Sequence, residues 1–179
     1  INRIIVSTDS KKFINKFKKN KKIILSLREK KFSTSKSPIE DVIIREIIKY
    51  KLSHYHNIIL LQTTSPLRDV KFIDKSISDF GNAKNYFTGI SLIKSKIKLS
   101  NLFNLLNKST IRKIYKKGDN SIKDIYFPSG DIYISKVKYF LKNKTFYSKK
   151  IFPFFSKIYS DIDNLSDFKI AEFKKKNVL

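Results

Sequence analysis

The chain has 179 residues, enough for one domain with its own core. It carries 39 lysines and arginines against 15 acidic residues, a formal charge of +24, and 41% of it is apolar. Without cysteine it has neither a disulfide framework nor a thiolate metal site, and no run of 18 apolar residues offers a membrane span.

The first half alternates β-branched runs with helical spacings. Arg3 to Ser7 reads as a strand, and Lys11 to Lys19 sets Phe13, Ile14 and Phe17 on one side of a helix. Ile23 to Leu27 is a second strand. Ser37-Pro38-Ile39-Glu40 then has the form of a helix start. Serine stands at the cap, proline at the first helical position, and glutamate three residues after the cap. That helix is predicted to reach about Leu52, with Val42, Ile43, Ile47 and Tyr50 at helical intervals. His54 and His56 lie in a polar link with no third ligand nearby and are assigned no chemistry. Asn57 to Leu61 is almost wholly apolar, as a strand buried on both faces would be. A helix over Asp69–Phe80 and a strand over Tyr86–Ile93 follow. The stretch 94–126 is rich in Lys and Asn with weak periodicity, and reads as an insertion. Asp131–Ser135 is strand, Lys136–Leu141 a short helix and Ser166–Lys176 a closing helix. Strands alternating with helices predict a mostly parallel sheet with helices on its faces.

Two segments carry candidate chemistry. Asp161 and Asp163 flank Ile162, and in an extended segment such residues face one side. Two carboxylates converging on one point suit a hard cation such as Mg²⁺. The alternative is an Asp-rich turn capping the helix near Ser166, with Asp167 at its positive N-terminus. The run Gln62-Thr63-Thr64-Ser65-Pro66-Leu67-Arg68 leaves the carboxyl end of a central strand, where open α/β sheets bind ligands. Gln62 offers an amide, and Thr64 and Ser65 offer hydroxyls. Arg68 can meet a carboxylate or phosphate, or else pair with Asp69 or a backbone carbonyl. Arg28 precedes the serine-rich stretch 33–37, and the helix N-terminus there favours anions. Ser37 is also explained as a helix cap. Gly130 permits a tight turn beside a ligand.

Four segments resemble the acylneuraminate cytidylyltransferase family, in order along nearly the whole chain. Ile5-Val6-Ser7-Thr8-Asp9-Ser10 is similar to its early strand and turn. Leu61 to Arg68 resembles the motif Gln-Pro-Thr-Ser-Pro-Leu-Arg. Ser129-Gly130-Asp131-Ile132-Tyr133-Ile134 resembles Asn-Gly-Ala-Ile-Tyr-Ile. Ser160 to Asn164, with Asp167-Phe168 and Ala171-Glu172, resembles the closing acidic motif. The resemblance implies a Rossmann-like three-layer α/β sandwich over residues 1–179, with a dimerisation insertion at about 94–126. It implies CTP-dependent activation of a sialic-acid-type 2-keto sugar acid, with Mg²⁺, in a cytoplasmic homodimer. On the same ground Asp161 and Asp163 hold the metal and are catalytic. Gln62, Thr64 and Gly130 bind the sugar, and Arg28 and Ser37 bind the nucleotide. Thr63 stands where the family has proline, and Ser129 where it has asparagine. The family's basic, glycine-containing triphosphate loop has no counterpart here. Methionine is absent and the chain opens on Ile1, so an upstream portion is expected, and residues 1–179 alone are expected to be inactive.

Two other readings follow from the residues. One is a truncated or degenerate homologue that folds without turnover. The other is a basic protein that holds RNA or another polyanion. Only five of the 39 basic residues are Arg (Arg3, Arg28, Arg45, Arg68 and Arg112), whereas nucleic-acid surfaces favour the arginine fork. The abundant Lys, Ile, Asn, Phe and Tyr share A/T-rich codons, so the charge is read as codon bias. Neither a nucleic-acid nor a membrane partner is expected.

Overall fold

A computed structural model describes residues 1–16, 21–34, 36–107, 110–114 and 124–177. In chain order the elements are β1 (Ile4–Thr8), α1 (Lys11–Lys16), β2 (Ile23–Leu27), α2 (Ile39–Lys49), β3 (Asn57–Leu60), α3 (Val70–Asn82) and β4 (Thr88–Lys94). They continue with β5 (Phe103–Asn107), β6 (Thr110–Lys113), β7 (Tyr126–Lys136), α4 (Val137–Asn143), β8 (Ile151–Phe155) and α5 (Leu165–Asn177). Among the described residues no helix is long and apolar enough to cross a membrane. The expected continuation of the first helix to Lys19 and part of the 94–126 insertion lie outside the described residues.

The chain divides into two compact units. The first comprises 1–58 and 136–145, the second 59–135 and 146–179.

In the first unit β1 and β2 pair in parallel, from Ile4 opposite Ile23 to Thr8 opposite Leu27. Helix α2 buries Val42, Ile43 and Ile47, as its spacing predicts. It also buries Glu46, which stands only 5% exposed. A buried carboxylate is costly unless it is hydrogen-bonded. Glu46 accepts from Ser7 Oγ at 2.8 Å, from Ser26 Oγ at 2.7 Å and from Arg45 Nη1 at 2.7 Å. The start of α2 differs from the expected serine cap. Pro38 occupies the cap position and makes no side-chain capping bond. The Ser37 hydroxyl instead closes its own loop, donating to Lys31 O at 3.0 Å and lying 3.2 Å from the Thr34 amide. A local loop bond has outcompeted the helix end for the same hydroxyl.

In the second unit the four-stranded sheet has the order β3-β7-β4-β8. Strand β8 runs parallel to β4, and β7 runs antiparallel to it. The sheet is therefore mixed rather than mostly parallel. Parallel neighbours need a crossover of a dozen or more residues, usually a helix. Between β4 and β7 the described residues form only the antiparallel hairpin β5–β6 and a short 3₁₀ turn. The core of this unit joins Phe80 of α3, Ile132 and Ile134 of β7, and Phe154 of β8. Phe72, Ile73 and Ile77 of α3 pack against it, the stripe read from the sequence. Gly89 of β4 lets the Phe154 ring approach, since a Cβ there would lie 2.7 Å from it.

One irregularity in β7 matters for the site. Ile90 pairs with Tyr133, and Leu92 pairs with Pro128. Ser91 alone thus opposes the stretch from Ser129 to Ile132. The extra residues bulge out of the ladder, as β-bulges do when a strand must re-aim its residues. Pro128 sits at the edge of this break, where a missing N–H is tolerated. The Ile132 amide is recovered by Ser91 Oγ at 3.0 Å.

Candidate active site

The bulge carries Ser129-Gly130-Asp131 toward the loop that leaves β3. Gly130 has φ +80°, in the left-handed region where glycine is favoured. A Cβ there would fall well inside contact distance of Ser65 Oγ and 3.1 Å from Gln62 Oε1. The Gly130 backbone therefore lies directly against the Gln62–Ser65 turn. Ser65 is fully buried, and its hydroxyl reaches Ser129 O at 3.4 Å. At the end of the loop Arg68 Nε donates to Asp131 O at 2.9 Å. Of the two alternatives read for Arg68, a backbone carbonyl is the partner found. Asp69 is engaged elsewhere, accepting from the Lys71 amide as the cap of α3.

The acidic segment joins the same loop. The Ile162 amide donates to Thr64 O at 2.9 Å, so Asp161 and Asp163 flank a residue bonded to the candidate sugar-binding turn. The Leu67 amide points to Ser160 Oγ at 3.4 Å. The segment is not extended throughout, because it bends at Asp163 and Asn164. Asp167 Oδ2 accepts from the amides of both these residues at 3.1 Å. Asn164 Oδ1 accepts from Ser166 and Asp167 at 2.9 and 3.1 Å. This reciprocal capping box starts α5. Capping thus falls to Asn164 and Asp167, and no cap bond is made by the Asp161 or Asp163 carboxylate among the described residues. Asp161 is half-buried and Asp163 exposed. The Tyr159 phenol registers both, because its pKa is raised first by burial and then by Asp161, Asp163 and Asp167. Burial also pushes up the Tyr133 phenol, with Tyr147, Asp161 and Asp131 adding to it.

Two carboxylates suit Mg²⁺, which takes one or two from protein and completes its shell with water and substrate phosphates. No set of three or more His, Cys, Asp or Glu side chains is gathered for a metal among the described residues. The donor chemistry of the Asp161 and Asp163 carboxylates fits Mg²⁺, which these two residues would hold.

Gln62, Thr64, Gly130, Asp161 and Asp163 all belong to the second unit, and Arg28 and Ser37 to the first. Arg28 Nη2 lies 4.0 Å from Asp9 Oδ1, and its Nε is buried without a partner. Among the described residues, Arg28 is cationic surface within reach of one carboxylate at the end of β1.

Asp131, to which the sequence reading gives no role, stands at the head of the apolar run Ile132–Ile134. It is 2% exposed. Its Oδ2 accepts from Ser129 Oγ at 2.9 Å and from Ser156 Oγ at 2.6 Å, while Oδ1 has no partner. Desolvation raises its pKa, against the two hydroxyls and the Arg68 guanidinium, which lower it. A carboxyl with a raised folded pKa keeps its proton longer in the folded state than in the unfolded chain. Its contribution is therefore fully present below the unfolded pKa and is lost as pH rises through the folded pKa. Asp131→Asn should remove that dependence. Urea unfolding across the acid range should show the wild type losing ground to the variant as pH rises, and parallel curves would refute it.

No protein-family model matches the chain. The chain is similar to an N-acylneuraminate cytidylyltransferase of Escherichia coli O18:K1:H7 (strain RS218 / NMEC), at 27% identity over 94% of its length. It spans 41% of that relative. Its fold is similar to that of CMP:2-keto-3-deoxy-manno-octonic acid synthetase complexed with CTP. The TM-score is 0.64 at 10% identity, covering 99% of this chain and 82% of that one. By sequence the chain is similar to that cytidylyltransferase, and the likeness to the solved structure is one of fold.

Proposed function

We propose that this chain provides the sugar-acid and metal end of a CTP-dependent cytidylyltransferase whose substrate is a 2-keto sugar acid of the sialic-acid type. The observation that carries the reading is the bond from the Ile162 amide to Thr64 O. It ties the backbone between Asp161 and Asp163 to the Gln62–Thr64 turn, on which Gly130 also packs. The anomeric hydroxyl of the sugar attacks the α-phosphorus of CTP, the bond to the β-phosphate oxygen breaks, and pyrophosphate leaves. Gln62 and Thr64 orient the sugar through hydroxyl contacts, and Gly130 serves the sugar site by letting the bulge pack closely on the turn that carries them. Mg²⁺ held by Asp161 and Asp163 would offset phosphate charge. Arg28 and the loop at Ser37 supply cationic and hydroxyl groups for the nucleotide. The protein's part is positioning and charge stabilisation. In this reading the protein works as a homodimer, with the β5–β6 hairpin in the dimer arm.

The test is pyrophosphate release by the full-length protein from CTP and Mg²⁺ with a panel of 2-keto sugar acids, including a sialic acid and a 3-deoxy-octulosonic acid. Release that requires a sugar acid supports the reading, and the sialic acid should be preferred. Absence of sugar-dependent release, with no calorimetric binding of CTP or sugar acid, would refute it.

A further inference from the structure

We propose that Asp131 is a positioning residue that sets the geometry of the site from within the core. It rests on the cytidylyltransferase reading for its kinetic consequence, but not for its structural one. Three segments carry the site, and Asp131 is bonded to all three. Its carboxylate receives the hydroxyl of Ser129, which belongs to the bulge that carries Gly130. The same oxygen receives the hydroxyl of Ser156, at the head of the segment that leads from β8 to Asp161 and Asp163. The Ser156 amide in turn donates to Leu92 O at 2.8 Å, fixing that segment to the sheet. The backbone carbonyl of Asp131 receives Arg68 Nε, at the end of the Gln62–Arg68 loop, and the Arg68 charge faces the carboxylate. At 2% exposure Asp131 meets no ligand itself. A buried ionisable group is expensive to keep. Here its retention has a use, because its side chain ties the bulge to the acidic segment while its backbone carbonyl holds the loop through Arg68.

The experiment compares wild type, Asp131→Ala and Asp131→Asn by amide hydrogen exchange and by kinetics well below the unfolding midpoint. In Asp131→Ala, exchange should quicken at least tenfold at Ile162 and Leu67. It should stay unchanged at Arg28, whose amide donates to Thr8 O in the other unit. Asparagine keeps an oxygen for both serine hydroxyls, so Asp131→Asn should restore most of the protection. In preparations that transfer cytidylate, kcat/KM should fall about 100-fold in Asp131→Ala, mostly in kcat, since roughly 1 Å of misplacement costs that much. It should recover in Asp131→Asn. Unchanged exchange at both amides, or equal loosening in Asp131→Asn, overturns the proposal. So does wild-type kcat in a folded Asp131→Ala. If Asp131→Ala does not fold, Ser156→Ala removes one of the two bonds, together with the hydroxyl's contact to Ile158 O at 2.9 Å, and should quicken exchange at Ile162. If the full-length wild type transfers nothing, the functional reading falls, and exchange still decides the role of Asp131.

Discussion

Replacing Asp163 by alanine in the full-length protein is expected to abolish nucleotidyl transfer while leaving the fold intact. The carboxylate is exposed and makes no cap bond among the described residues, since Asp167 and Asn164 hold the start of α5. Among the described residues its carboxylate has no recorded hydrogen bond or ion pair, so the unfolding free energy should stay within about 0.5 kcal/mol of wild type. Removing a negative charge close in sequence to Asp161 and Asp167 also lessens like-charge repulsion. Its proposed work lies in the reaction, where a carboxylate-held metal ion is worth several kcal/mol of charge stabilisation. A loss of turnover on the order of a thousandfold is therefore expected, and raising Mg²⁺ should not restore it. The assay is pyrophosphate release against Mg²⁺ concentration, beside thermal unfolding of the same preparations. Near-normal turnover at saturating Mg²⁺ would rule out the metal role. A large fall in stability would instead mean that the acidic segment is held in place by Asp163 itself.

The elements legible in the sequence were those whose side chains obey one period. The stripes of α2 and α3 and the runs of β1, β2 and β4 lie close to where spacing placed them. The exceptions share a physical cause: each depends on a partner distant in sequence, or on two local bonds in competition. Strand β8 hides behind Pro153, which suits an edge strand but interrupts the pattern of one. The bulge of β7 is visible only once Ser91 is seen to oppose Ser129 to Ile132, a pairing some 40 residues away. The antiparallel course of β7 follows from a connection built around a hairpin, where periodicity was weakest. Ser37 shows the competition case. Its spacing to Glu40 fits a capping box, yet its hydroxyl is held by Lys31 and Thr34.

The candidate site was legible as residue types, and less so as geometry. Gln62, Thr64 and the Asp161/Asp163 pair were found from their motifs, and one backbone bond between Ile162 and Thr64 brings their segments together. The extended conformation assumed for the acidic pair fails at Asp163, because the α5 cap bends the chain there. Asp131 carried no signal except its oddness, an acidic residue in the apolar run from Ile132 to Ile134. Buried polar groups that break a pattern are often the ones with a task, and here the task is read from three hydrogen bonds and a neighbouring cation.

The largest combined effect on fold and site is expected from Gly130→Ala. Two separate costs meet at this position. At φ +80° a residue with a Cβ is strained, by about 1–3 kcal/mol. The new methyl would also overlap Ser65 Oγ and crowd Gln62 Oε1. Ser65 is fully buried and cannot swing into solvent, so the overlap must be relieved by moving backbone, at about another 1–3 kcal/mol. For a chain of this size the unfolding midpoint should drop on the order of 10 °C. What moves is the Gln62–Ser65 turn, so sugar-acid affinity should fall even in the fraction that stays folded. Ser65→Gly separates the two costs. In the double variant the overlap is gone and the strain remains, so stability should return only in part. Thermal unfolding of both single variants and the double, with calorimetric titration of sugar acid, measures each contribution. A Gly130→Ala chain with wild-type stability would mean that Gly130 does not press on Ser65, and the site built on that contact would have to be abandoned.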